Sequence, residues 1–276
     1  TFPEKISSRV VKKLGTAAHI KAYTDGSMDG LAASMERAGV DYSVNLPVMT
    51  SAQQVEKINT SMIEDREALL ARGIIAFGGM HPDYTDYKTE IRRLKENHIA
   101  GIKLHPAYQN INLDDIRMLR IIDCAAEEGL IILTHAGMDI GIYDRNYCSV
   151  AHILKVIDEL HPDKFVLAHM GNWDFWEDVD LAGAPVWLDT AFSIGPITKN
   201  PATDEPPYEE MNLYDEDFVR LCRKHGTDRI LFATDSPWQD QADYISRINA
   251  MEFSDAEKEQ IFAGNAMSLL GREIFS

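Results

Sequence analysis

The chain has 276 residues, 45% of them hydrophobic and 26% charged, a length and composition that suit one large core such as a single α/β barrel of about 250 residues. Its 44 acidic against 27 basic residues give a formal charge of −17, which repels a phosphate backbone and argues against nucleic acid as a partner. No uninterrupted apolar stretch of about 20 residues is present to cross a membrane as a helix.

The predicted elements alternate along the chain. Helical patterns over residues 3–14 and 28–38 precede a first β-branched run, DYSVNLPV at 41–48. Ser51 with Gln54 makes a capping box ahead of an amphipathic stretch that stops at Gly73, and the run IIAFGGMH follows at 74–81. Further runs are IAGIKLH at 99–105 and LIILTHA at 130–136, separated by a helix that opens at Asp114 and stops at Gly129. The series closes with FVLAHM at 165–170, VWLDTAF at 186–192 and ILFATD at 230–235, with helices expected over 149–160, 215–225 and 254–263, the last carrying a second capping box of Ser254 with Glu257.

Runs that are nearly continuous in apolar residues are buried on both faces, and strands separated by helices pair in parallel. The expectation is therefore an α/β fold, a single-domain (β/α)8 TIM barrel spanning residues 1–276. Seven runs are visible where such a barrel needs eight. The missing first strand is expected immediately ahead of Thr1.

Three cysteines, Cys124, Cys148 and Cys222, are odd in number and lack CxxC spacing, so neither a disulfide framework nor a cysteine zinc site is expected, and a reducing cytoplasm is the simplest setting. Cys124 and Cys222 read as small buried hydrophobes.

The polar residues that interrupt the apolar runs sit at their ends: GIKLHP with Lys103 and His105, LTHAG with His135, LAHMG with His169 and FATDSP with Asp235. In a barrel those ends converge on the face where catalysis occurs. One histidine at a strand end is usually a hydrogen-bonded structural residue. Imidazoles on two successive strands together with a carboxylate on the last supply the donors that hold a divalent ion.

The set GIKLHP, LTHAG, LAHMGN and FATDSPW, followed by IFAGNA at 261–266, resembles the amidohydrolase superfamily, and more narrowly its branch of metal-dependent decarboxylases and lactonases. The resemblance runs from about Thr1 to the C-terminus. It implies a barrel around one divalent metal ion, commonly Zn2+, held by an HxH pair on the first strand, by His135 and by Asp235. Asp235 would also accept a proton from the reacting water, and His169 would contact that water or the substrate. No HxH occurs in the sequence, and the segment beginning Thr1-Phe2-Pro3 is similar to the one that follows that pair in the family. Homodimers are common in the family.

Lys103 and His105 lie two apart on one strand and so face the same way; a lysine in a barrel interior needs an anion, which makes it a candidate for a substrate carboxylate. His105 is equally well read as a strand-end cap before Pro106. In the loops after the histidines, Arg145 is a candidate carboxylate clamp and Trp173, with Phe175 and Trp176, a candidate wall for a flat ring. His81 could line the mouth. The proline-rich segment 193–207 is a candidate substrate cover, whereas His98, His152, His161 and His225 are expected in solvent.

The leading functional expectation is a metal-dependent hydrolase acting on a small carbonyl compound that carries a carboxylate. A metal-dependent non-oxidative decarboxylase is the alternative, and a barrel that binds a ligand without catalysis the third reading.

Overall fold

The computed structural model describes residues 1–176, 181, 184–271 and 274. Strands β1 (Ser43–Asn45) and β2 (Ile74–Ala76) pair in parallel. A second sheet runs in the order β3 (Gly78–Gly79), β4 (Gly101–Leu104), β5 (Ile131–Thr134), β6 (Phe165–Leu167), β7 (Trp187–Asp189) and β8 (Ile230–Leu231), every neighbour parallel. Sequential parallel strands with helical crossovers follow the (β/α)8-barrel plan expected from the runs. The run 74–81 is one chain segment split at Phe77, so β2 completes the first pair and β3 opens the second sheet.

Side-chain alternation sorts each strand into two faces. Ile102, Leu104, Ile132, Phe165, Leu167, Leu188 and Ile230 point outward into the layer between strands and helices. Phe77, Ile131, Leu133, Val166 and Leu231 point inward and fill the barrel, closed by Leu269 from the helix Asn265–Leu270. Gly101 is required here: a Cβ would lie 2.5 Å from the Phe77 ring and 2.4 Å from the Ile131 carbonyl oxygen.

Both capping boxes form, Ser51 with Gln54 and Ser254 with Glu257. Helices beyond the expected set are Tyr87–Glu96 and Gln241–Ala250, with the shorter Pro106–Gln109 and Asn265–Leu270, among the described residues. His98 and His161 are exposed as expected, but His225 is not. It is 7% exposed and its ring nitrogens lie 3.2 Å from the Leu181 carbonyl and 2.9 Å from that of Val186. The last turn of a helix looks like solvent in the sequence; here that turn packs against the approach to β7.

Burial lowers the His225 pKa from its ordinary 6.5. The native ring thus stays neutral where the unfolded chain takes up a proton, and its contribution to stability is complete above pH 6.5 and falls as the pH drops below it, by up to about 1.4 kcal/mol per unit. In His225→Gln the destabilisation relative to wild type should shrink between pH 7 and pH 5 in urea titrations. A pH-independent difference would contradict this.

A second structural prediction concerns Gly137, which follows His135 by two residues. Its φ is +88°, and a Cβ would sit 2.1 Å from the Trp173 backbone nitrogen. Gly137→Ala should cost about 3 kcal/mol or more in unfolding free energy, because a backbone neighbour cannot turn aside. Loss below about 1 kcal/mol would show that the Gly137 and Trp173 segments separate easily.

Candidate metal centre

The inner faces of the strands change character at their C-terminal ends. Above the apolar filling stand Lys103 from β4, His105 just past it, His135 just past β5, His169 past β6 and Asp189 at the end of β7, all of them buried. The ladder sets their heights: Lys103 pairs with Leu133, and the His135 amide donates to the Leu104 carbonyl at 3.1 Å.

The rings form a stack. His105 and His135 lie parallel with centroids 4.3 Å apart, and His135 meets His169 edge-on at 4.7 Å. Asp139, 8% exposed in the loop after His135, brings its Oδ2 to 3.6 Å from His105 Nε2. The His105 Nδ1 accepts the Tyr108 amide at 3.4 Å, which turns Nε2 toward Asp139. Ligand atoms of His105, His135 and Asp139 lie within 4.8 Å of one another, a His-His-Asp group able to hold a metal ion.

Proton accounting tests the fit. His169 Nδ1 donates to the Ala191 carbonyl at 2.8 Å, His169 Nε2 lies 3.0 Å from His135 Nδ1, and His135 Nε2 lies 3.0 Å from the Met138 carbonyl. Carbonyls end the chain on both sides and only accept. With one proton on each ring, two N–H groups serve three contacts, and the His135 Nε2 lone pair is left against a carbonyl oxygen. Burial, reinforced by neighbouring His105, His169 and Lys103, holds the His135 pKa well below 6.5, so a second proton on the His135 ring does not resolve the conflict near neutral pH. A nitrogen-oxygen donor set with an unshared lone pair is chemistry that accepts a divalent ion.

Lys103 is 7% exposed, and burial lowers its pKa against the opposing pull of Asp189, Asp235, Cys148 and Asp139. Among the described residues no carboxylate comes within ion-pair distance of it. Burial raises Asp139 to about 6 and raises Asp189 as well.

Asp235 stands in a left-handed conformation, φ 54°, before the cis Ser236–Pro237 bond. It is exposed and lies outside the compact group, while its charge still reaches Lys103, Asp139 and Tyr108. The structure thus joins His135 with His105 and Asp139, brings His169 into ring contact, and sets Lys103 beside them.

Trp173 is 2% exposed, its Nε1 donates to Asn212 Oδ1 at 2.9 Å, and it meets Phe192, Trp176 and Tyr143 in an aromatic cluster. Phe175 is exposed. Arg145 is exposed, bonds Asn112 at 2.9 Å and lies over the Tyr147 ring. His81 is buried, with Nδ1 accepting the Asp83 amide. Segment 193–207 is tied to residues 19–21 by Lys21 to Thr198 and Asn200 to His19 backbone bonds, and Ile197 packs with Trp173.

Two site residues escaped the sequence reading of roles. Asp139 carries no role there, and Asp189 stands only as a letter in VWLDTAF. The available signal for Asp189 was a carboxylate ending an apolar run.

The chain belongs to the amidohydrolase family, whose model matches residues 12–272. No curated protein matches it. Among solved structures it is similar to 2,6-dihydroxybenzoate decarboxylase from Rhizobium, with a TM-score of 0.68 and 15% identity over 98% of this chain and 95% of that one. It is also similar to 5-carboxyvanillate decarboxylase from Sphingomonas paucimobilis, with a TM-score of 0.61 and 15% identity over 86% and 81%. The Novosphingobium aromaticivorans 5-carboxyvanillate decarboxylase, complexed with manganese and 4-hydroxy-3-methoxy-5-nitrobenzoic acid, gives 0.65 and 17% over 87% and 79%. At these identities the likeness establishes the fold.

Among the described residues no helix is long and apolar enough to cross a membrane.

Proposed function

We propose that this protein is a metal-dependent, non-oxidative decarboxylase of small planar carboxylic acids, with hydrolysis as the less favoured reading of the same site. One observation carries the choice of substrate: Lys103 is a buried cation, without an ion-pair partner among the described residues, on the face that presents the histidines. A carboxylate is the partner such a cation lacks. Decarboxylation is favoured over hydrolysis because the similar solved structures include dihydroxybenzoate and carboxyvanillate decarboxylases.

His135 would anchor the ion, with His105 and Asp139 completing the compact group; Asp235, which the family resemblance assigns to the metal, remains the further ligand candidate. When bound, the ion supplies Lewis-acid charge that steadies substrate oxygens and developing negative charge. Zn2+ is the expectation from the resemblance, and Mn2+ is the ion in one similar enzyme.

The chain's own residues would do the rest. Lys103 orients the departing carboxylate, and Trp173 backs the aromatic wall of the site. The carbon–carbon bond breaks to release CO2, and its electron pair takes up a proton that comes from solvent and is relayed to the carbon through the Asp235 carboxylate, which is returned unprotonated at the end of the cycle. His169, whose Nε2 lies 3.0 Å from His135 Nδ1, would hold the His135 ring in place beside the substrate.

The test incubates protein loaded with Zn2+ or Mn2+ with hydroxybenzoates carrying one or two carboxyl groups, following CO2 and the aromatic product. The reading expects CO2 and decarboxylated phenol in equal amounts. Turnover of amide or lactone substrates without CO2 would transfer the assignment to hydrolysis, and binding without turnover would support a ligand-binding barrel.

A further inference from the structure

His169 and Met170 both adopt left-handed backbone conformations, φ 58° and 53°, which residues with a Cβ rarely hold without support. The support is visible. Asp189 Oδ1 accepts the His169 backbone N–H at 2.9 Å and the Ala191 N–H at 3.0 Å. The same turn presents the Ala191 carbonyl, which accepts from the His169 Nδ1 at 2.8 Å and from the Ser193 hydroxyl at 2.8 Å. One carboxylate oxygen therefore fixes where His169 begins and, through Ala191, which ring nitrogen carries its proton.

We propose that Asp189 is a positioning residue that clamps the backbone of His169 and, through the turn to Ala191, sets its ring in the Nδ1–H form, with Nε2 aimed at His135. The inference rests on the proposed role of His169 for its effect on turnover, but its structural content stands apart. Three observations carry it: the two bonds to one buried oxygen, the paired left-handed residues, and the His169 Nε2 to His135 Nδ1 distance of 3.0 Å. A second-strand group that fixes an imidazole's tautomer also fixes what its other nitrogen can do.

Asp189 is in addition the foremost counter-charge of Lys103. The two roles separate by substitution. Asp189→Asn removes the charge and keeps an acceptor oxygen, whereas Asp189→Ala removes both.

The experiment is ring NMR of metal-free protein labelled with 15N-histidine, His169 being assigned by the signal lost in His169→Gln. Wild type should show His169 protonated at Nδ1 with Nε2 as acceptor. Asp189→Ala should shift it to a mixture of tautomers, and Asp189→Asn should restore the wild-type pattern. In loaded enzyme Asp189→Ala should lower kcat about tenfold or more with KM changed less than about twofold. A wild-type His169 protonated at Nε2, or ring signals in Asp189→Ala identical to wild type, would overturn the proposal. If Asp189→Ala does not fold, the wild-type tautomer and the Asp189→Asn pattern still decide, and changed ring signals in Asp189→Asn overturn it. Failure of every substrate would count against decarboxylation and leave the NMR result standing.

Discussion

Replacing His135 with alanine is expected to abolish metal retention and lower turnover at least about a thousandfold, the equivalent of about 4 kcal/mol of lost charge stabilisation. His135 is the residue common to the compact His-His-Asp group and to the ligand set implied by the family resemblance. It also occupies the centre of the ring chain, between His105 at 4.3 Å and His169 at 4.7 Å. The cavity left by the imidazole is polar, so water can enter it, and the loss of fold stability should be modest beside the loss of function. Elemental analysis of purified variant and wild type, with urea unfolding alongside, checks both halves. A variant that keeps its metal and its rate would remove His135 from the centre. Asp139→Asn and Asp235→Asn, measured the same way, tell which carboxylate shares the ion.

The second large effect is at Lys103. Methionine there preserves length and packing but removes the cation, so kcat/KM for a carboxylate substrate should fall roughly a hundredfold, about 3 kcal/mol. Stability should hold or rise, since a charge that burial disfavours and that no carboxylate pairs with among the described residues is removed. Metal content should not change. Equal loss on a carboxylate substrate and on an uncharged analogue would contradict a role in carboxylate recognition, and marked destabilisation would make Lys103 a structural ion.

The site was partly legible because the inside of a barrel is apolar. Lys103, His105, His135, His169 and Asp235 are breaks in otherwise continuous Val, Ile and Leu runs, and such breaks stand out in one dimension. Asp139 did not, because its place beside His105 depends on how the loop after Gly137 folds. Asp189 is a break of the same kind as the others, but its partners are backbone amides, which a sequence does not display. Arg145, a candidate from the same loop as Asp139, has partners in Asn112 and Tyr147 that its place in the sequence does not display.

The fold followed the same division. Strand order came from the alternation of runs and helices, and both capping boxes form where their side chains allow. Helix Tyr87–Glu96 lies outside that reading because its buried apolar positions are only Ile91 and Leu94 in a charged segment. Glu90, though charged, is buried there by bonds to Asn59 and Arg93. Helix Gln241–Ala250 depends on Asp240, whose carboxylate accepts the amides of Ala242 and Asp243. The break at Phe77 is a tertiary matter, the ring covering the space that Gly101 leaves.

The most direct measurement is metal content per chain after purification without chelators and after reconstitution with Zn2+ or Mn2+. About one ion per chain, lost in His135→Ala, is the predicted result. No retained ion under either condition would contradict a metal centre at His135 and favour a barrel that binds its ligand through Lys103 alone.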